Sequence, residues 1–349
     1  MTLPERQRLI LKEIVDRYIR RREPVSSRMI LEEYGLSVSS ATVRNDMNDL
    51  EAGGYIEKPY SSSGRIPTKT GYRFFVDWLL DLSELTRKEC SEIVEAYELP
   101  YLEVGETMRQ TAFLLGSITG HAAFVIPPRW AETRLDRVVL VRMEERRLLL
   151  VLASDIGIIE HGMIELEEPI SVDETRRVSD VINESLRGVS LDAVRQLTLE
   201  EGPEGWYERP VRQAMMVLRH LLERLLKQRL HLEGILNLVD SLQQVSPERA
   251  LERLVALMHA VQDEAQFGAS IRNARKEPLG LSVCVGDCPM TGLEDYSIVS
   301  ATYGSHDGVL GVIAPVWMDY GKAISATSYI GNRLEALLTT ASRSTQEFK

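Results

Sequence analysis

The sequence predicts an α+β multidomain chain, with an N-terminal winged helix-turn-helix followed by an α+β body that a mainly helical segment interrupts. Three observations lead there. The run LSVSSATVRNDMNDLEAGGYIEKPYSSSGRIPTKTGYR, residues 36–73, orders a helix, a short strand and a glycine-tipped basic loop in immediate succession. Charge is divided: residues 1–75 hold 13 Lys+Arg against 10 Asp+Glu, a balance of +3, so the other 274 residues carry −14 of the total of −11. Strand-like runs then precede a helical stretch over 172–275, and runs of the same flavour return after it.

The N-terminal elements follow from apolar spacing. Leu11, Ile14, Val15 and Tyr18 fall at i, i+3, i+4 and i+7, so a first helix presents one apolar stripe. A second helix opens near Ser26 or Ser27, buries Ile30, Leu31 and Tyr34, and stops at Gly35, which can take the left-handed backbone of a helix end. Four residues separate Gly35 from Ser40, a helix-turn-helix spacing. The third helix takes Ser39 or Ser40 as N-cap, because a serine oxygen accepts from the first free amides. It turns Val43, Met47 and Leu50 inward and Ala41, Thr42, Asn45 and Asn48 outward, with Arg44 on the flank. Two strands at 55–60 and 65–68 follow around a wing at 61–64, where Pro59 and Pro67 leave the ribbon's edge unpaired.

This pattern points to double-stranded DNA. Small and amide side chains on such a helix suit base edges in a major groove, and arginine suits guanine or phosphate. Ser39, Ser40, Thr42, Arg44 and Asn45 are the candidates on the helix, and Arg65, Lys69 and Arg73 those on or just after the wing. Arg20, Arg21 and Arg22 end the first helix, where cations meet the helix dipole favourably, and that role is preferred to phosphate contact. The acidic remainder repels phosphate everywhere except at this basic end. Some winged helices serve only to dock proteins; the polar side chains on both groove-facing surfaces favour DNA.

At 349 residues and 44% hydrophobic content, the chain can bury two or three cores. No apolar run approaches the roughly 18 residues that span a bilayer, and MTLPERQRLI carries charge where a signal peptide needs an apolar core; a cytoplasmic protein is expected. Residues 1–80 are assigned to the winged module and 81–103 to a helical linker. A helix at 104–117 and strands in HAAFVIP, RVVLVRM, RLLLVLAS and GIIEHGMIEL open the body, which resumes with LGLSVCVG, SIVSATY, VLGVIAP and a last helix over 320–342. This places one α+β domain at 104–171 and 276–349 with an insertion at 172–275, although three consecutive domains fit the same order. Leu218, Leu221, Leu222 and Leu225 form the densest apolar stripe in the insertion, wider than a solvent-facing helix should expose, and are assigned to a dimer surface.

A catalytic constellation is not legible. His121, His161, His220, His231, His259 and His306 are scattered, with no i, i+4 pair of the metal-binding kind. Cys90, Cys284 and Cys288 are too few for a disulfide framework and are expected reduced. Cys284 and Cys288 form C-x3-C, but without a second Cys or His pair nearby the structural thiol is preferred to the zinc ligand. GSHDG at 304–308 reads as a hairpin turn, and Glu144-Glu145 and Glu167-Glu168 as solvated turns. No enzyme, metal or cofactor is expected. Three classes compete: a non-enzymatic dimeric repressor, a regulator whose α+β body senses a small ligand, and an enzyme fused to a DNA-binding end.

SSATVRNDMNDLEAGGYIEKPYSSSGRIPTKTGYRFFVD resembles the HrcA family of heat-inducible transcription repressors, most specifically in GRIPTKTGYRFFVD, residues 64–77, and more weakly over the whole chain. The resemblance implies three parts: a winged-helix domain, a GAF-like domain, and a dimerisation domain inserted within it. It also implies a homodimer, an inverted-repeat operator ahead of chaperone genes, and a GroEL-type chaperonin as partner. The chain departs from the family pattern at Trp317, where members tend to carry arginine before MDY, and in NLVDSLQQVS, residues 237–246, in place of a QPEF-like segment.

Overall fold

The computed structural model describes residues 3–347, apart from 35–38, 61–63, 98–103, 129, 131–132, 157, 198–207, 228–229, 246, 274–280, 289 and 305–307. It is a mixed α/β chain with antiparallel sheets.

The N-terminal module begins with α1 (Glu5–Arg21), whose Ile10, Leu11, Ile14 and Val15 are fully buried. The chain leaves it through Arg22 in the left-handed region at φ 57. Next come α2 (Ser27–Tyr34) and α3 (Ser40–Ala52), the latter burying Val43, Met47 and Leu50. Gly35 and most of the expected wing tip lie outside the described residues. The ribbon is shorter than expected: β1 (Ile56–Glu57) pairs antiparallel with β2 (Ile66–Pro67), and Val25 bridges Arg65. Helix α4 (Lys69–Trp78) is capped by Thr68 and lies so close to the ribbon that a Cβ on Gly71 would stand 2.1 Å from the Tyr55 carbonyl oxygen. Only glycine permits that approach. The linker holds α5 (Arg87–Ala96), whose start is fixed by a reciprocal Thr86–Glu89 capping box.

After α6 (Val104–Thr119) comes β3 (Ala122–Ile126). Three strands, β4 (Leu135–Glu144), β5 (Arg147–Ser154) and β6 (Ile159–Glu165), then form a sheet of their own in the order β4-β5-β6. They alternate one buried and one exposed position, as a sheet with a single covered face must. The cover is α7 (Val172–Leu186), α8 (Leu191–Gln196) and α9 (Arg209–Leu226). Helix α7 also satisfies the edge of β4: Asn183 accepts from the Val138 amide and donates to its carbonyl, both at 2.8 Å, and Ser179 accepts from the Leu140 amide at 3.0 Å.

The chain returns through β7 (His231–Glu233) and three helices, α10 (Ile235–Val245), α11 (Pro247–Gln262) and α12 (Glu264–Arg272). Strands β8 (Leu281–Val285), β9 (Tyr296–Tyr303) and β10 (Gly308–Pro315) precede the last helix, α13 (Tyr320–Glu347). The main sheet is antiparallel with order β7-β3-β10-β9-β8. Strands β3, β8 and β10 are buried at every position, so both faces need helices. On one face Val125, Val283, Val299 and Val312 meet α6 and α13, in a core continuous with that of the N-terminal module. On the other, Phe124, Cys284, Ile298 and Ile313 meet Leu238, Leu257 and Phe267, with the rings of Phe124 and Phe267 edge-on at 5.3 Å.

Two expectations are corrected here. The boundary at 171/172 separates β4–β6 from the helices that share their core, and α10–α12 belong with the main sheet; the inserted unit spans 135–226, and a strand, β7, lies inside the stretch read as helical. The leucine stripe is not a surface. Leu218, Leu221 and Leu222 are 0–2% exposed, and Leu225 packs against the same core, because α9 lies on the inner face of β5 and β6.

Candidate nucleic-acid interface

Helix α3 is fixed from behind and open in front. Ser39 is the cap: its Oγ accepts from the Thr42 amide at 3.2 Å and meets Thr42 Oγ1 at 2.9 Å. Behind the helix, beside Val43, Met47 and Leu50, the buried Asp46 carboxylate accepts two bonds from Arg6, at 2.6 and 3.1 Å. That fork holds both planar groups in one orientation. The carboxylate in turn draws the pKa of the exposed Arg6 upward. Gln7 donates to Asp49 at 3.2 Å, so α1 grips α3 at two turns. Ser39, Ser40, Ala41, Arg44 and Asn45 are exposed and Thr42 is half-exposed. Arg44 makes no ion pair among the described residues.

The remaining candidates are engaged within the molecule, two of them by their cationic heads and Lys69 by its stem. Arg65, 8% exposed, pairs with Glu51 at 2.7 Å and donates to Asn48 Oδ1 at 3.0 Å, while its backbone bonds both ways with Val25 at 2.8 Å. Its expected place as a projecting wing cation is therefore corrected: the guanidinium ties α3 to the ribbon, and it takes up the outward Asn48 as well. Arg73 donates to the Val283 carbonyl at 2.6 Å and pairs with Asp77 at 3.0 Å. Lys69 is exposed, but its stem lies over Gly286, where an added Cβ would come within 2.9 Å of Cδ. Both side chains stand at the seam between α4 and β8.

Further ties, none legible from sequence spacing, join other elements. Arg22 reaches across to the Trp317 carbonyl, and burial lowers its pKa. Lys12 meets Asp81 at 2.5 Å, Lys322 meets Glu89 at 2.9 Å, and the rings of Tyr72 and Tyr320 lie 6.3 Å apart. Trp317 stacks under Arg253 at 5.9 Å.

Other chemistry is sparse. Among the described residues, no group of three His, Cys, Asp or Glu could hold a metal ion, and no helix is long and apolar enough to cross a membrane. His121 is buried, which pushes its pKa down to about 4 and keeps the ring neutral near pH 7. The main sheet is packed with side chains on both faces. Open clefts of about 590 and 560 Å³ flank its β7 edge, lined in part by Leu254 and Met258 and by Phe113 and Leu236.

Comparison with known proteins places this geometry in context. A family model described as "HrcA protein C terminal domain" matches residues 105–324. A protein of Pelotomaculum thermopropionicum named heat-inducible transcription repressor HrcA is 32% identical over 99% of both chains. One of the same name from Geobacter sulfurreducens is 32% identical over 96% of this chain and 98% of its own, and one from Halalkalibacterium halodurans 31% over 97% and 98%. Among solved structures, a hypothetical protein determined at 2.2 Å has the same fold, with a TM-score of 0.76 at 24% identity over 97% of this chain and 100% of its own.

Proposed function

The chain belongs to the HrcA family of heat-inducible transcription repressors, and from that premise we propose that it is a homodimer that reads an inverted-repeat operator ahead of chaperone genes. Residues 1–80 act as a winged helix-turn-helix, and the unit built on the main sheet is GAF-like. The carrying observation is the front of α3: Ser40, Ala41, Arg44 and Asn45 stand exposed on a helix whose back is clamped by Asp46–Arg6 and by its apolar core. Thr42 and Asn45 read base edges, Arg44 grips phosphate or guanine, and Arg65 positions the helix.

Two-fold symmetry in the protein would match that of the operator. The outer face of the β4–β6 sheet supports such a pairing, since Val139, Val141, Met143, Ile159 and Met163 are 40–58% exposed on neighbouring strands. An apolar face of this kind is what an isologous interface buries.

A GroEL-type chaperonin keeps the repressor active by rescuing chains that would otherwise aggregate. The long interruption of the main sheet between β3 and β7 supports this, because discontinuous units fold through aggregation-prone intermediates. The small-ligand alternative has less support, because both faces of the main sheet are filled. The test is operator binding by protein refolded with and without chaperonin at matched total concentration. Recovery should be greater with chaperonin; equal recovery at ordinary and elevated temperature would remove it from the mechanism, and no preference for operator over scrambled duplex would remove the DNA reading.

A further inference from the structure

Cys284 and Cys288 lie where the main sheet meets the N-terminal module. Cys284 is on the edge strand β8, opposite Ile298, with its side chain in the core under α10–α12. The chain then turns at Gly286, φ +67, whose amide donates to the Tyr296 carbonyl at 3.0 Å. The Cys288 thiol lies 3.7 Å from that same carbonyl oxygen. Tyr296 and Ile298 alternate along β9 onto one face, so the turn brings the second thiol toward the face of the first, and both side chains pack in the same core. Both are free thiols; Cys284 is buried and Cys288 half-buried.

The same few residues seat α4. Val283, one position before Cys284, accepts from Arg73, and Gly286, midway between the cysteines, lies under the Lys69 stem. An added Cβ on Gly286 would also come within 2.9 Å of the Glu294 carbonyl oxygen, so the turn is tightly enclosed between α4 and its own sheet. The turn from Cys284 to Cys288 is therefore in direct contact with α4.

We propose that Cys284 and Cys288 form a reversible dithiol–disulfide pair, oxidised by hydroperoxides, whose closure shifts the seat of α4 on the β8 edge. The roles are unequal. Cys284, whose pKa is drawn below its ordinary value beside Cys288, attacks first in its thiolate form, and Cys288 resolves. Its sulfur bonds to one oxygen of hydrogen peroxide as the O–O bond breaks; the hydroxide released takes up the proton that left Cys284, giving water and a sulfenic acid. The Cys288 sulfur then attacks that sulfur, the S–S bond forms, and the departing hydroxide leaves with the Cys288 proton as a second water. Two thiols and one peroxide become a disulfide and two waters, a two-electron exchange that a dithiol reductant reverses. Closing an S–S bond of about 2.05 Å across Gly286 shifts the turn that lies beneath Lys69. The third cysteine, Cys90, sits on α5 and serves as an internal control.

The test uses the full chain treated with hydrogen peroxide, quenched, and compared before and after a dithiol reductant. Thiol titration and peptide mass mapping follow the sulfurs, and amide hydrogen exchange of residues 69–78 follows α4. Two of the three thiols should disappear together in a Cys284–Cys288 crosslink, exchange across α4 should rise severalfold, and reduction should restore both. Cys288→Ser should give no crosslink and keep the exchange of the reduced protein; should it not fold, Cys288→Ala takes its place, and the oxidised-against-reduced comparison needs no variant. Pairing through Cys90, a sulfinic acid at Cys284 without a crosslink, or a crosslink with unchanged α4 exchange would each overturn the proposal. No DNA enters these readouts, so the result is independent of the operator-binding reading.

Discussion

Leu222 and Val141 lie on opposite sides of one small sheet, and substituting each should break a different property. Leu222 is fully buried against β4–β6, so Leu222→Ala removes three carbons from a closed core. At about 0.8 kcal/mol per buried methylene the transfer loss is about 2.4 kcal/mol, and the cavity left behind brings the expected cost to roughly 3–4 kcal/mol, within the usual range for Leu→Ala. A unit of this size loses about 4–8 °C of Tm per kcal/mol, so the fall should exceed about 10 °C. Below its unfolding temperature the variant should keep the parent's oligomeric state. Val141 is 43% exposed on the outer face. Val141→Lys removes no core volume but places a charge in the proposed interface, so it should yield a monomer with weak operator binding. Circular dichroism melts and light scattering at matched protein concentration separate the two, with concentration held fixed because dimerisation itself raises Tm. A Leu222→Ala protein that keeps its Tm and becomes monomeric would falsify the assignment of the stripe to the core.

Asn45→Ala should weaken discrimination between operator and random duplex by about 1–3 kcal/mol, read by competitive binding; an unchanged ratio would show that α3 does not present this residue to bases. Arg65→Met should cost about 2 kcal/mol of stability through the lost bonds to Glu51 and Asn48, below the full value for a buried pair because Glu51 is partly exposed and keeps Lys58 at 3.7 Å. Its operator binding should fall with little change in salt dependence, whereas a salt slope lower by about 1 would restore Arg65 to the phosphate contacts. His121, with its folded pKa pushed down to about 4 from an ordinary 6.5, binds its proton more readily when the chain is unfolded. Its contribution to stability is therefore intact above pH 6.5 and lost progressively as pH falls toward 4, by up to roughly 3 kcal/mol. Urea titrations of His121→Phe should show a flatter pH dependence across that window, and an unchanged slope would assign the loss to other groups.

Much of the N-terminal module was determined by local sequence. Helix periods, a serine cap three residues from an amide it can reach, and apolar side chains at i, i+4 and i+7 act over one or two turns, and Ser39, Val43, Met47 and Leu50 stand where those rules place them. The family resemblance was legible for the same reason, being carried by a contiguous run. What the long side chains do was decided only by tertiary structure. Arg65, Lys69 and Arg73 look alike in sequence, a basic trio around a glycine loop, yet one is buried against Glu51, one lies over Gly286 and one reaches the Val283 carbonyl, 210 residues away. A cation's partner depends on which acceptors the folded chain brings within about 3 Å, and spacing along the chain carries no record of that. The leucines of α9 failed in the same way: periodicity shows that a helix has an apolar face, while whether its own sheet or a second subunit covers that face is settled by packing. The redrawn insertion has a further cause. Strands buried on one face and strands buried on both belong to different sheets here, and only the hydrogen-bond register, β4-β5-β6 against β7-β3-β10-β9-β8, separates them.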